Sequence, residues 1–264
     1  VLNVQLWHDF LKCIEAAGFA AKSLISAQNA LVYTYSMYLI GKHEYGMKET
    51  ELRRLISRWF FMSSVSGYYT SSPETVVEAD LADLRNVKNG SEFTTLLQSR
   101  IDSVFTNDYF SITLPNELAT SASRSPTWFG YCAALNVLDA EILFSTLHTR
   151  DLFSPAYTGT KSALERHHLF PKAYLENIGI ADDRDRNQTA NFAFIEWRDN
   201  IEILDSSPAE YMKDKLAHIP VADKSAIYEL HALPNDWEHM DYFDFLKQRR
   251  ALMANVIRKG FEKL

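Results

Sequence analysis

The length, composition and charge of this chain exclude several classes of protein. Its 264 residues are enough for one large domain or two ordinary ones, and 47% hydrophobic with 23% charged residues excludes a disordered or fibrous chain. The formal net charge of -7 argues against a nonspecific nucleic-acid binder, because no overall positive field attracts a polyanion. An enzyme with only a local basic rim stays compatible with this charge.

The number of cysteines and the length of the apolar runs indicate where in the cell the protein is expected. Cys13 and Cys132 are the only cysteines, too few for a disulfide framework, so a reducing, cytoplasmic location is expected. The longest apolar stretch, residues 30–40, is far shorter than the roughly 20 residues of a membrane helix, so no membrane segment is predicted. The chain begins at Val1 without methionine or a signal pattern, which is typical of a fragment of a longer protein.

The first 148 residues repeat apolar side chains three and four positions apart, which predicts an all-α bundle. Residues 23–40 are apolar nearly all round and predict a central helix enclosed by others. Serine followed by proline, at Ser72 and again at Ser125, is typical of an N-cap and first turn. The predicted helices cover about 7–14, 23–40, 50–69, 73–84, 91–104 and 126–147.

The pattern changes between residues 149 and 162, where proline, glycine and hydroxyl side chains replace the helical period. We therefore predict two domains, a helical one over 1–148 and a second over 149–264. In the second, short apolar segments predict strands at about 164–170 and 191–195, and an amphipathic pattern predicts a closing helix over about 237–264.

The residues that carry chemistry lie in two short blocks. The first ends a predicted strand with His167 and His168 and continues to Pro171. The second begins the next predicted strand with Asn191 and reaches Asn200 where a further helix would start. This order of strand, loop, strand and helix start resembles the ββα-metal unit of HNH (His-Me finger) nucleases.

The resemblance gives each residue a role with a chemical reason. Hydrolysis of a phosphodiester needs water deprotonated near neutral pH, which suits imidazole, so His168 is the expected general base. His167 and Asn200 are the expected ligands of a metal that neutralises charge on the phosphoryl oxygens. Asn191 is expected to bond backbone groups on both sides of the loop and so to orient the catalytic histidine.

Basic side chains near these blocks are expected to contact DNA phosphates, and a solvated charged loop stays open as the alternative for the arginines. They are Lys172, Arg186 and Arg198. A second basic group, the three arginines within residues 53–58, is more typical of a salt-bridged helix face. Many HNH sites carry Asp or Glu at the position of His167, and an imidazole ligand favours zinc, manganese or nickel, so the choice among these and magnesium stays open.

The two blocks resemble more closely the C-terminal nuclease domain of the GmrSD-type restriction enzymes, bacterial anti-phage proteins that cut modified DNA. The resemblance covers about residues 149–264, and Pro208 with Tyr211 fits a Pro-x-x-Tyr stretch that often follows in that family. It implies DNA, modified or not, as the substrate. It also implies an absent upstream domain resembling ParB-type nucleotide-binding proteins, or a partner chain.

The expected fold is mainly α, with an N-terminal helical bundle followed by a small ββα-metal unit braced by C-terminal helices. The expected function is metal-dependent cleavage of DNA by a His-activated water, as the effector part of a restriction or anti-phage protein. Two alternatives stay open. One is a catalytically silent DNA- or protein-binding module of HNH-like fold, and the other is a phosphoesterase that acts on RNA or a small nucleotide.

Overall fold

The computed structural model describes residues 3–26, 28–122, 124–153, 164–196, 199, 203–217 and 221–264. In these ranges the chain is mainly α-helical, as predicted, with one two-stranded sheet. None of the helices described is long and apolar enough to cross a membrane. The helices are α1 (Val4–Ala16), α2 (Gln28–His43), α3 (Glu49–Val65), α4 (Pro73–Leu84), α5 (Gly90–Val104), α6 (Leu114–Glu117), α7 (Pro126–Leu138), α8 (Thr149–Leu152), α9 (Lys172–Asn177), α10 (Asp183–Arg186), α11 (Pro208–Ala217), α12 (Val221–Leu230) and α13 (Tyr242–Lys263).

The predicted starts of α3, α4, α5 and α7 agree with the structure to within one residue, but the predicted cap at Ser72 and the predicted end of α7 are wrong. Ser125 caps α7, since its Oγ accepts a hydrogen bond from the Trp128 N–H at 3.5 Å. Ser72 precedes α4 with a left-handed φ of 49° and its side chain does not cap the helix. Helix α7 ends at Leu138 instead of 147, because Asp139 takes a left-handed φ of 61° and turns the chain.

The prediction of a central helix over residues 23–40 is wrong. Helix α2 begins only at Gln28, and Val32 on it is 56% exposed, so one face looks outward. The enclosed helix is α7, in which every residue from Thr127 to Asn136 is buried. Small residues along α7 explain the difference, because they let neighbouring helices approach from all sides, which the bulky tyrosines of α2 do not.

Helix α13 packs directly against α7 at two small residues. A Cβ added to Gly260 would lie 2.7 Å from the Cβ and 2.8 Å from the Cα of Ala134. Farther along α7, a Cβ on Gly130 would lie 2.6 Å from a methyl carbon of Val65 in α3. Glycine at these positions thus sets how closely α3, α7 and α13 approach one another.

Replacing Gly260 by alanine should lower the free energy of unfolding by about 1–3 kcal/mol, the usual cost of overpacking a core. The loss exceeds the gain of about 1 kcal/mol from better helix propensity, because the backbone of Ala134 cannot move aside easily. Urea unfolding measures the difference. Asn255→Ala on the exposed face of α13 is the control and should be neutral or slightly stabilising. Equal stability of the two variants would contradict the close packing.

The hydrophobic core is continuous from the helical half into the residues after 148. The ring of Phe261 in α13 lies 4.8 Å from that of Phe105 and 5.9 Å from that of Phe61, measured between centroids. Two domains with a boundary near 148 therefore stay a prediction, and in the described residues both parts share one core.

The sheet is an antiparallel pair of short strands, β1 (Leu164–His168) and β2 (Phe192–Glu196), near the two predicted positions. His168 faces Phe192 across the pair and His167 faces Ala193. Trp128 of α7 packs against the rings of Phe192 and Phe194, with centroids 6.0 Å and 5.5 Å away. The strand pair is thus fixed to the most enclosed helix of the bundle.

The closing helix is shorter than predicted. Trp237–His239 forms a separate 3-10 turn, and α13 starts at Tyr242 after Asp241, whose carboxylate accepts from the Phe243 N–H at 2.9 Å. An acidic N-cap satisfies first-turn N–H groups and so defines the helix start.

Candidate active site

His168 ends β1 half-buried and is held on both sides of its ring. Its Nε2 lies 3.1 Å from Asn187 Oδ1, and its ring centroid lies 4.7 Å from that of Phe192. The Asn187 amide has a defined orientation, because its Nδ2 donates to the Asp183 carbonyl at 2.7 Å. The oxygen facing His168 can only accept, so Nε2 carries a hydrogen.

His167 lies in a different environment from His168. It is 4% exposed, and its ring stands edge-on to that of Tyr211, with centroids 6.2 Å apart. The Tyr211 hydroxyl donates to the Leu169 carbonyl at 2.6 Å, which ties α11 to the end of β1. Successive side chains of a strand point to opposite faces, and the different burial of the two histidines agrees with this.

The metal site implied by the resemblance is not completed by the described residues. Asn200 and Arg198 lie outside them. Within the described part of the chain, no group of three or more His, Cys, Asp and Glu side chains is placed to hold a metal ion. The nearby Asp199 carboxylate lies 2.5 Å from Lys215 Nζ, so it is already engaged by a cation. The described donors therefore do not fit a metal centre by themselves.

Asn191 makes the hydrogen bonds that the sequence leads one to expect. It is fully buried, its Oδ1 accepts from the Phe170 N–H at 2.9 Å, and its Nδ2 donates to the Phe170 carbonyl at 3.0 Å. The same Nδ2 donates to the Arg186 carbonyl at 3.1 Å. One amide thus fastens the chain just after His168 to the far side of the loop, while its part in catalysis stays a prediction.

The turn that presents Asn191 is anchored to the helical half. Thr189 donates through its N–H to the Thr120 carbonyl and through its hydroxyl to the Leu118 carbonyl, both at 2.8 Å. Phe170, on the other side of the Asn191 amide, packs its ring against Phe245 of α13 at 4.8 Å. The position of His168 therefore depends on contacts with the bundle and with α13 as well as on the strand pair.

The basic residues expected to contact DNA differ in their surroundings. Arg186 is engaged by two carboxylates, with Glu176 at 3.2 Å and Asp183 at 3.0 Å, and only 14% of its side chain is exposed. A DNA phosphate would have to compete with both, so this arginine primarily joins α9 to α10. Lys172 is exposed at the start of α9. For both, the DNA contact stays a prediction.

Arg249 is a structural residue of the site that the sequence interpretation missed. It is fully buried on α13, and its guanidinium donates to the Ala190 carbonyl at 2.8 Å and to the His231 carbonyl at 3.4 Å. Burial lowers its pKa, as expected for a cation removed from water. Arg249 follows Phe245 by four residues and precedes Met253 by four, which places it on the apolar face of an amphipathic helix. This spacing was the available signal that the side chain is buried.

Comparison with known proteins identifies no family or relative for this chain. No protein-family model matches the chain, and no curated protein or solved structure matches it either. Any functional assignment therefore depends on the arrangement around His168 and on the resemblance of the two sequence blocks to HNH nucleases.

Proposed function

We propose that this chain is an endonuclease that hydrolyses phosphodiester bonds of DNA with His168, at the end of β1 in the strand pair, as its general base. The contact that supports the proposal most directly is the hydrogen bond between His168 Nε2 and Asn187 Oδ1. It fixes one tautomer and one ring orientation, which is what a general base needs from a neighbouring residue.

In the proposed hydrolysis, each of the residues around His168 has a defined role. His168 Nδ1 removes a proton from a water molecule, and the resulting hydroxide oxygen bonds to phosphorus as the bond to the 3′ oxygen breaks. The leaving oxygen is protonated from solvent. Asn187 keeps the imidazole in position, and Asn191 holds the backbone that follows it. Lys172, exposed at the start of α9, contacts a DNA phosphate.

Replacing His168 by alanine should reduce DNA cleavage by about 100- to 10,000-fold, the usual contribution of a general base. Nicking of supercoiled plasmid, unmodified and base-modified, in magnesium or manganese and with EDTA as the blank, measures the effect. His43→Ala, at the exposed end of α2, is the matched control and should cut like the parent protein. A folded His168→Ala protein that cuts at the parental rate would refute the proposal.

A second variant, Asn187→Ala, tests whether the orientation of the His168 ring matters apart from its presence. Asn187→Ala keeps the imidazole but removes its partner, so its cleavage rate should lie between those of the parent and His168→Ala, with an altered pH profile. If no variant and no parent protein cuts DNA but single-stranded RNA is cleaved, the phosphoesterase alternative replaces this proposal. If no nucleic acid is cut, the silent binding module replaces it.

A further inference from the structure

A cleft in the helical half lies between α3 and the start of α5. Its volume is about 760 Å³, within the range of roughly 300–1,000 Å³ that small-molecule sites occupy. None of the residues discussed around His168 contributes to it. The cleft is therefore a separate place on the molecule.

The charge of the cleft is opposite to that of the whole chain. Its lining includes Lys48, Arg54 and Arg58, with Glu51 as the acidic lining residue, in a protein of net charge -7. Three cations around one cavity in an acidic protein favour an anionic ligand, because the local potential and not the net charge acts on a bound group.

Each of the two arginines is held at the cleft by a main-chain oxygen near the end of α13. Arg54 Nε donates to the Leu264 carbonyl at 3.2 Å, and Arg58 Nη1 donates to the Phe261 carbonyl at 3.2 Å with its guanidinium 4.2 Å from the Phe261 ring centroid. Each of these anchors uses one of five N–H donors, so the charge of both side chains is retained at the cleft. Of the three arginines expected on a salt-bridged helix face, Arg53 has its Nη2 3.7 Å from the Glu49 carboxylate.

The opposite wall is the first turn of α5. Asn89 caps this helix by accepting from the Glu92 N–H at 3.0 Å, and Gly90 and Ser91 line the cleft. Gly90 exposes backbone here, and even a Cβ at that position would come within 3.0 Å of Met47 Cγ. The Glu92 carboxylate lies at this same turn and accepts from the Lys88 N–H and from Asn89 Nδ2, both at 2.9 Å, so a phosphate would bind to the N–H groups of Gly90 and Ser91, which line the cleft.

One end of the cleft is less polar. Tyr45 and Met47 line it, and the Tyr45 ring is fixed by its contact with Phe93, at 5.1 Å between centroids, and by the hydrogen bond from its hydroxyl to the Val87 carbonyl at 3.4 Å. A fixed aromatic ring next to a thioether accepts a flat ring of a ligand.

We propose that this cleft binds a small phosphate ester with a flat ring, of the nucleoside phosphate class. The phosphates lie between Lys48, Arg54 and the first turn of α5, and the ring lies against Tyr45 and Met47. This site does not depend on the proposed nuclease activity, and either proposal can fail without the other.

Isothermal titration calorimetry of the whole chain with ADP, adenosine and inorganic phosphate tests the proposal. We expect saturable binding of ADP that weakens with salt, at least about tenfold weaker binding of adenosine, and competition by inorganic phosphate. Lys48→Gln and Arg54→Gln should each weaken ADP binding about five- to tenfold. Lys22→Gln, an exposed lysine outside the cleft, should bind ADP like the parent.

Lys48 is exposed, so its variant keeps the fold even if Arg54→Gln loosens the contact with α13. Absence of saturable ADP binding to the folded parent overturns the proposal. Equal ADP affinity of the parent and of Lys48→Gln overturns it as well, because the phosphates would then lie elsewhere.

Discussion

Replacing Asn191 by alanine should lower the free energy of unfolding by about 3–5 kcal/mol. The substitution removes three hydrogen bonds at once and leaves the N–H and carbonyl of Phe170 and the carbonyl of Arg186 without the amide that now satisfies them. Each buried polar group that loses its partner costs about 1–3 kcal/mol, and Asn191 itself is fully buried. Few single substitutions in this chain remove as many buried contacts.

Urea unfolding at neutral pH, followed by circular dichroism, measures this loss. Asn177→Ala, at the exposed end of α9, is the matched control and should change stability by less than about 0.5 kcal/mol. If Asn191→Ala is as stable as the control, the amide does not hold the loop. At temperatures where the variant is still folded, its DNA cleavage should also fall, since the backbone after His168 is no longer fixed.

Acidification below pH 6.5 should destabilise the protein through His231. Burial, assisted by the charge of Arg249, lowers the pKa of His231 from 6.5 to about 4. In the folded state the ring therefore stays neutral while in the unfolded state it takes up a proton below pH 6.5. The contribution of neutral His231 to the free energy of unfolding is therefore fully present above pH 6.5. It is lost as the pH falls towards 4, by a total of about 3 kcal/mol at 1.36 kcal/mol per pH unit.

Urea unfolding of the parent and of His231→Gln at several pH values between 7 and 4.5 isolates this effect, because carboxylates titrate in both proteins alike. The stability of the parent relative to His231→Gln should decrease steadily as the pH falls. His43→Gln is the control, with the pH dependence of the parent. Parallel stability curves for the parent and His231→Gln would show that the buried histidine is not the titrating group.

The sequence was sufficient to predict a helix start where a capping residue marks it. Helix α7 starts where Ser125 and Pro126 place it, whereas α13 starts at Tyr242 after Asp241 and not at the predicted residue 237. It was insufficient where packing decides. Residues 23–40 are apolar, but the enclosed helix is α7, because Gly130 and Ala134 let α3 and α13 approach it closely.

Around the candidate site, the order of residues located the strand pair and the role of Asn191 in bridging the loop. The partner of His168 was not predicted, because Asn187 approaches it only after α10 turns the loop back, and one asparagine in a polar loop carries no signal of that. Arg249 was missed for a related reason. Its place on the apolar face of α13 marks it as buried, but its partners, the carbonyls of Ala190 and His231, are backbone groups that no side-chain pattern identifies.

The packing of α13 also affects how the chain folds while it is being synthesised. The ribosome completes α3 and α7 long before it makes α13, so the side of α7 that later receives Gly260 is exposed to solvent in the meantime. Contacts between segments far apart in sequence form slowly and leave apolar surface open to aggregation. We therefore expect nascent chains that stop before residue 242 to depend on chaperones and released full-length chains to be far less dependent.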